Sequence, residues 1–235
     1  MTAGTLRSRV RAEMIAEIKA VARRHLAADG ANLSLRAVAR DLGMVSSAVY
    51  RYFASRDDLL TALIVDAYDA LGDAVEAADT AVPDRGALRQ RWLACGRAIR
   101  GWALANPAEY GLIFGSPVPG YAAPQATTDA AVRTPATLVR IIADGVESGR
   151  LPVPPDEPPR DRPALPPAVR EDLLLARDAV SPGLPEALLA RGMIAWIHVF
   201  GAVSFELFGQ LNNVVTAREE FFDHQLLLMA ELIGI

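Results

Sequence analysis

The sequence predicts an all-α fold, and three observations carry that expectation. Apolar residues recur at three- and four-residue steps along almost the whole chain, and no stretch alternates convincingly as a strand would. Start and stop signals punctuate these segments, among them Asp29-Gly30, Asn106-Pro107 and Thr134-Pro135. The 235 residues are 51% hydrophobic and 22% charged, enough to bury a sizeable core and too apolar for global disorder.

The first helix is expected over roughly 8–29, with Met14, Ile18, Val21 and Leu26 on one face and Asp29-Gly30 as its stop. Ser34 N-caps a short second helix whose Leu35, Val38, Ala39 and Leu42 face inward. Gly43 makes a tight turn into a third short helix at about 46–53. A long fourth helix starts near Ser55 and ends before Pro83. The fifth shows the cleanest stripe, Leu88, Trp92, Cys95, Ile99 and Trp102, and stops at Asn106-Pro107 because a residue before proline is pushed out of the α region. A short helix carries Tyr110, Ile113 and Phe114, and residues 115–128, rich in Gly, Pro and Ala, read as a loop. Thr134-Pro135 resembles an N-cap with proline at N1, opening a helix to Gly149. The segment 151–168 holds eight of the sixteen prolines and reads as an extended surface connection, with a PxxP partner site as the lesser alternative. Helices near 168–178, 185–211 and 216–233 complete the chain, the last two strongly apolar.

Charge is unevenly distributed. The whole chain carries −4, yet residues 1–60 carry +4 and the remainder −8. A basic end on an acidic body fits a local polyanion-binding module. Cys95 is the only cysteine, which excludes an intramolecular disulfide, and it is expected as a small buried hydrophobe. The N-terminus lacks a secretory h-region and no apolar run reaches a membrane span, so a cytoplasmic protein is expected.

Residues 34–60, SLRAVARDLGMVSSAVYRYFASRDDLL, hold the informative pattern. Two short helices joined at a glycine and followed by a longer one have helix-turn-helix spacing. The second short helix holds its place by pinning Val49 and Phe53 against its neighbours, which turns Ser46, Ser47, Ala48, Tyr50 and Tyr52 outward. Small and hydroxyl side chains suit close approach to base edges, and tyrosine hydroxyls reach phosphates. Arg7, Arg9 and Arg11 are either a solvated tail or an arm along the minor groove.

On A-x-x-L-G at Ala39–Gly43, V-Y-R-Y-F at Val49–Phe53 and S-R-D-D-L-L at Ser55–Leu60, the chain resembles the TetR family of bacterial regulators. The resemblance implies a fold of about nine helices. Residues 1–56 would be the DNA-binding helix-turn-helix domain, and 57–235 an effector-binding and dimerisation domain. It implies that Ser34 contacts a phosphate, that Arg36 faces groove or backbone, and that Ser46, Ser47 and Ala48 touch bases. Tyr50, Tyr52 and Arg56 would grip the backbone. Val45 departs from the family, which commonly places a Ser or Thr N-cap there; Ser46 is the alternative N-cap, which would shift the helix start by one residue. Trp196, His198 and Gly201 echo, inexactly, a W-x-x-H-G-like helix of one subgroup.

The same resemblance implies a homodimer that reads a palindromic duplex DNA operator and is released from it by a small-molecule effector. The dimer face is expected from Phe200, Gly201, Val203, Leu207, Phe208, Leu211, Phe222, Leu226, Met229 and Ile233. The effector would be lined by Trp92, Trp102, Tyr110, Phe114, Met193, Trp196, His198 and Glu206, although each of these is a core candidate too. No cofactor or metal is expected. His25, His198 and His224 fall in no metal-ligand or catalytic spacing, and there is no phosphate loop or nucleophile elbow, which argues against an enzyme. A DNA-binding module that has lost its pocket is the other alternative.

Overall fold

The computed structural model describes residues 3–29, 33–153 and 165–235, and every regular element among them is a helix. In chain order these are α1 (Ala3–Asp29), α2 (Leu35–Asp41), α3 (Ser46–Val49), α4 (Arg56–Thr80), α5 (Leu88–Ala105), α6 (Pro107–Phe114), α7 (Gln125–Ala131), α8 (Arg133–Glu147), α9 (Pro167–Val180), α10 (Glu186–Leu207) and α11 (Arg218–Ile233).

The chain divides into two compact units, Met1–Ala70 with Ala105–Ala130, and Leu71–Leu104 with Ala131–Ile235. These compact units do not follow the functional division expected at residue 56. The reason is area. With seven residues in α2 and four in α3, the three N-terminal helices cannot enclose a core unaided. Ile18, Val21 and Ala22 of α1, Val38 and Ala39 of α2, and Val49 of α3 share one core with Leu59 and Leu63 of α4; Ala108 and Leu112 of α6 pack against it. Asp66 of α4 ties the same group together, accepting from Lys19 at 2.8 Å and Arg23 at 2.7 Å.

The second unit is built on α5. Trp92 is 2% exposed and its Nε1 donates to the Leu226 carbonyl at 2.9 Å. Gly96 lets α11 come that close, since a Cβ there would lie 2.4 Å from Leu226 Cδ2. Arg91, wholly buried, donates through Nε to Asp79 at 2.7 Å, and through Nη1 to Asp144 at 2.7 Å and the Arg85 carbonyl at 3.0 Å. Burial pushes the Asp79 carboxyl up, but the hydrogen bonds and charges of Arg91 and Arg85 outweigh it and hold the group below its ordinary range. Cys95 is buried as expected. Burial pushes its thiol up to about 12, which makes it an inert packing group.

Several element bounds differ from expectation. Helix α1 begins at Ala3, so Arg7, Arg9 and Arg11 are helical and form no extended tail or arm. Helix α7 occupies the end of the expected 115–128 loop. Helix α8 starts at Arg133 with no side-chain cap, and Thr134 is 4% exposed instead of capping, because packing in the second unit claims it. Residues 152–153 and 165–166 of the proline-rich segment are non-helical and α9 opens on Pro167, a favoured position for a first helical residue. Its centre, 154–164, lies outside the described residues, as does the Gly30 stop.

Candidate nucleic-acid interface and effector region

Helix α2 is capped by Ser34, whose Oγ accepts from the Ala37 amide at 3.4 Å. Its far end turns at Gly43, φ +65°, a left-handed conformation natural to glycine. Helix α3 follows, beginning at Ser46 with Val45 as N-cap and no side-chain cap bond, so the departure from the family's Ser or Thr leaves the cap uncompensated and the N-cap does not move on to Ser46. One uncapped turn is unstable alone. Burial holds it: Val49 is 0% and Phe53 7% exposed, both in the first unit's core.

That anchoring sorts the predicted residues. Arg36, Ser47 and Tyr50 are exposed, as is Ser34 beside its own cap bond. Ser46 and Ala48 are half-buried on the same short helix. Tyr52 is half-buried against the core, with the Arg11 guanidinium 5.2 Å from its ring centroid. Arg56 is more committed than expected: its Nε donates to the Leu33 carbonyl at 3.1 Å and Nη1 lies 3.3 Å from Asp57, which fastens the start of α4 to the approach to α2. Val45, absent from the predicted surface, lies exposed on it. At 71% exposure beside Ser46 it offers an apolar surface of the kind that meets a thymine methyl. The signal was available, since an apolar residue at an N-cap has no capping role to explain it.

The residues expected around an effector do not share one unit. Tyr110 and Phe114 belong to the first unit, where Tyr110 is fully buried and Phe114 packs 5.0 Å from it and 6.0 Å, edge-on, from Tyr68. The other six belong to the second. Trp92 is core. Glu206 needed a partner and has one, a two-pronged pairing with Arg100 at 2.8 Å through each oxygen. His198 Nε2 lies 2.9 Å from Gln225 Oε1, linking α10 to α11. Trp102 and Met193 are half-buried. Trp196 differs from all of these. Its ring lies 5.8 Å from Phe200, and its Nε1 is a buried donor with no hydrogen-bond partner among the described residues.

Several residues of the expected dimer face are buried within the single chain. Val203, Phe222, Leu226 and Ile233 are at most 3% exposed and Phe200 is 8% exposed within a single chain, so they form the protomer's own core. Leu207, Leu211 and Met229 are half-buried, and Gly201 and Phe208 are exposed. The exposed apolar stripe of α10 runs instead through Ile194, Ile197 and Phe205, exposed by 54, 57 and 56%, and on to the C-cap residue Phe208, exposed by 47%. Phe221, Leu228 and Leu232 make the matching stripe on α11.

A one-turn helix pinned by its apolar side, offering hydroxyls outward beyond a glycine turn, defines a helix-turn-helix DNA-binding regulator. Known proteins agree. Residues 18–63 match the family described as bacterial regulatory proteins, tetR family, and residues 92–229 match the tetracyclin repressor-like C-terminal domain. The HTH-type transcriptional regulators Rv1816 of Mycobacterium tuberculosis and Mb1846 of Mycobacterium bovis are each 39% identical over 228 residues, covering 95% of this chain and 94% of theirs. The crystal structure of the regulatory protein SCO4313 superposes with a TM-score of 0.77 at 33% identity, over 95% of this chain and 98% of that one. A tetR-family protein from Rhodococcus RHA1, 18% identical with a TM-score of 0.61 over 94% and 96% of the two chains, shares the fold. The chain belongs to the TetR family of transcriptional regulators.

Proposed function

We propose that this regulator is a homodimeric repressor that reads a palindromic operator through α3 and leaves it when a small molecule binds the second unit. The observation that carries the DNA-reading half is the opposition of faces on α3, where Val49 is wholly buried while Ser47 and Tyr50 stay outside. Ser46, Ser47, Ala48 and Val45 are assigned to base edges. Ser34, Arg36, Tyr50 and Tyr52 are assigned to the backbone. Arg56 supports that surface by holding α4 to Leu33.

A second copy covers the exposed stripe of α10 and α11. Helix α10 is long and apolar enough to cross a membrane by length and composition, with a third of its most apolar window buried inside the protein. The paired Arg100 and Glu206 on its inner side, and the stripe's continuation onto α11, suit a partner helix pair better than lipid. Gly201 lies within that stripe with open space around it, which favours close approach of the two copies of α10. Two copies related by a twofold axis read a palindrome, and the protein would act in the cytoplasm.

The effector reading is supported by Trp196. An indole Nε1 only donates, and leaving it buried without an acceptor costs about 1–3 kcal/mol. A ligand oxygen would relieve that. Selection of bound sequences from random DNA tests the whole reading. A palindrome is expected, and recovery of no preferred sequence would sink it.

A further inference from the structure

The face by which α1 enters the first unit's core does not end where the core ends. Ile18 and Ala22 on that face are fully buried, and Ile15 and Met14 are partly buried against the same cluster. One and two turns earlier, the same face carries Arg11 and Arg7, since residues 7, 11, 15, 18 and 22 follow one another at steps of four, four, three and four. Both arginines thus leave α1 on the side on which α3 sits. Arg11 proves the direction. Its Nη1 and Nη2 lie 3.5 and 3.4 Å from the Arg51 carbonyl, in the turn that closes α3, and its guanidinium covers the Tyr52 ring.

Arg7 is exposed and makes no ion pair among the described residues. Arg9 differs. It points away from that face and pairs with Glu13 at 3.4 Å. So of the three arginines at the start of α1, two are aligned beside the recognition helix and one is neutralised elsewhere.

We propose that Arg7 and Arg11 form a second DNA contact, a helical arm on α1 that grips backbone phosphates flanking the base pairs read by α3. The inference rests on the reading of α3 as the base-reading helix. The partner chemistry is the phosphodiester backbone: two arginines one turn apart, with fork-shaped donors and no carboxylate between them, suit successive phosphate oxygens and carry no base information. Arg11 has a second task, because its contact with the Arg51 carbonyl supports the free end of a helix that lacks a side-chain cap at its beginning.

The test is equilibrium binding of the full chain to two duplexes of equal length, one carrying the sequence recovered by selection and one scrambled, across a range of salt. For Arg7→Ala with Arg11→Ala, the slope of log K against log salt should fall in magnitude by about 0.9 for each phosphate left unneutralised, hence by about 1.8 per protomer bound. Affinity should drop about tenfold or more on both duplexes, leaving their ratio unchanged. Arg9→Ala is the control and should leave the slope as it was. An unchanged slope in the double variant, with the thermal midpoint intact, overturns the proposal. So does an equal loss in Arg9→Ala, which would mean diffuse attraction rather than an aligned arm. If the wild type itself fails to discriminate between the two duplexes, the reading of α3 fails instead.

Discussion

Helices α3 and α10 solve opposite problems. In α3 the two faces are chemically distinct, apolar at Val49 and hydroxyl-bearing at Ser47 and Tyr50, so the core holds one face and leaves the other free. In α10 both faces are apolar, with Val199 and Val203 buried at 1% and 0%, and Ile197 and Phe205 exposed beyond 50%. The lesson is that a helix announces its function when its polarity changes around the circumference. When it does not, only packing shows which side is spare.

The sharpest way to break this comparison is to charge each face of α10 in turn. Val203→Asp buries an unpaired carboxylate and should cost several kcal/mol, on the order of the worst single substitutions, read as loss of a cooperative thermal transition. Phe205→Asp on the outer face should keep the fold and halve the mass found by sedimentation, with operator binding lost alongside. A folded dimer in the second variant would mean that the outer stripe has another use. Next in size is Arg91→Ala, which leaves the buried Asp79 carboxylate with Arg85 alone and should destabilise by about 3 kcal/mol, the low end for a broken buried pair, in denaturant titrations. On α3 the corresponding contrast is milder. Tyr50→Phe should weaken selected and scrambled DNA alike, by about 1.5–3 kcal/mol for the loss of a hydrogen bond to a charged oxygen. A change confined to one base position would contradict its assignment to phosphate.

Acid should act on α11 through Asp223. The Arg97 guanidinium, bonded to it at 2.8 Å through each oxygen, holds that carboxyl below its ordinary value. A depressed carboxyl contributes stability above its unfolded pKa of about 3.9 and loses it as pH falls through the lower folded value. Asp223→Asn should therefore flatten the stability curve in that acidic window and nowhere else. The smallest expected effect is at Cys95, where a disulfide reagent at pH 8 should label the unfolded chain readily and the native one hardly at all.

These contrasts explain what was legible in the amino-acid order. Val49 and Phe53 could be assigned inward because hydroxyls and small residues surround them, and the structure puts both there. Cys95 within an apolar stripe was legible for the same reason. On α10 and α11, Phe200, Val203, Phe222, Leu226 and Ile233 looked no different from Ile194, Ile197 and Phe221, so inner and outer residues were mixed. The carboxylate partners of Arg91 lie 12 and 53 residues away, and the arginine partner of Glu206 lies 106 away, separations that no local pattern records. Nor could residues 1–56 show that α4 and α6 would complete their core, because that depends on area rather than on any motif.

The lack of a side-chain cap on α3 reaches beyond the helix itself. A synthetic peptide of those few residues would be a random coil with nothing to say to a duplex, since its shape is lent by its neighbours. Sequence recognition here is a collective property of the first unit. A cavity opened far away, at Ile18 or Leu63, should surface in the cell as a regulatory defect long before it is noticed as a folding one.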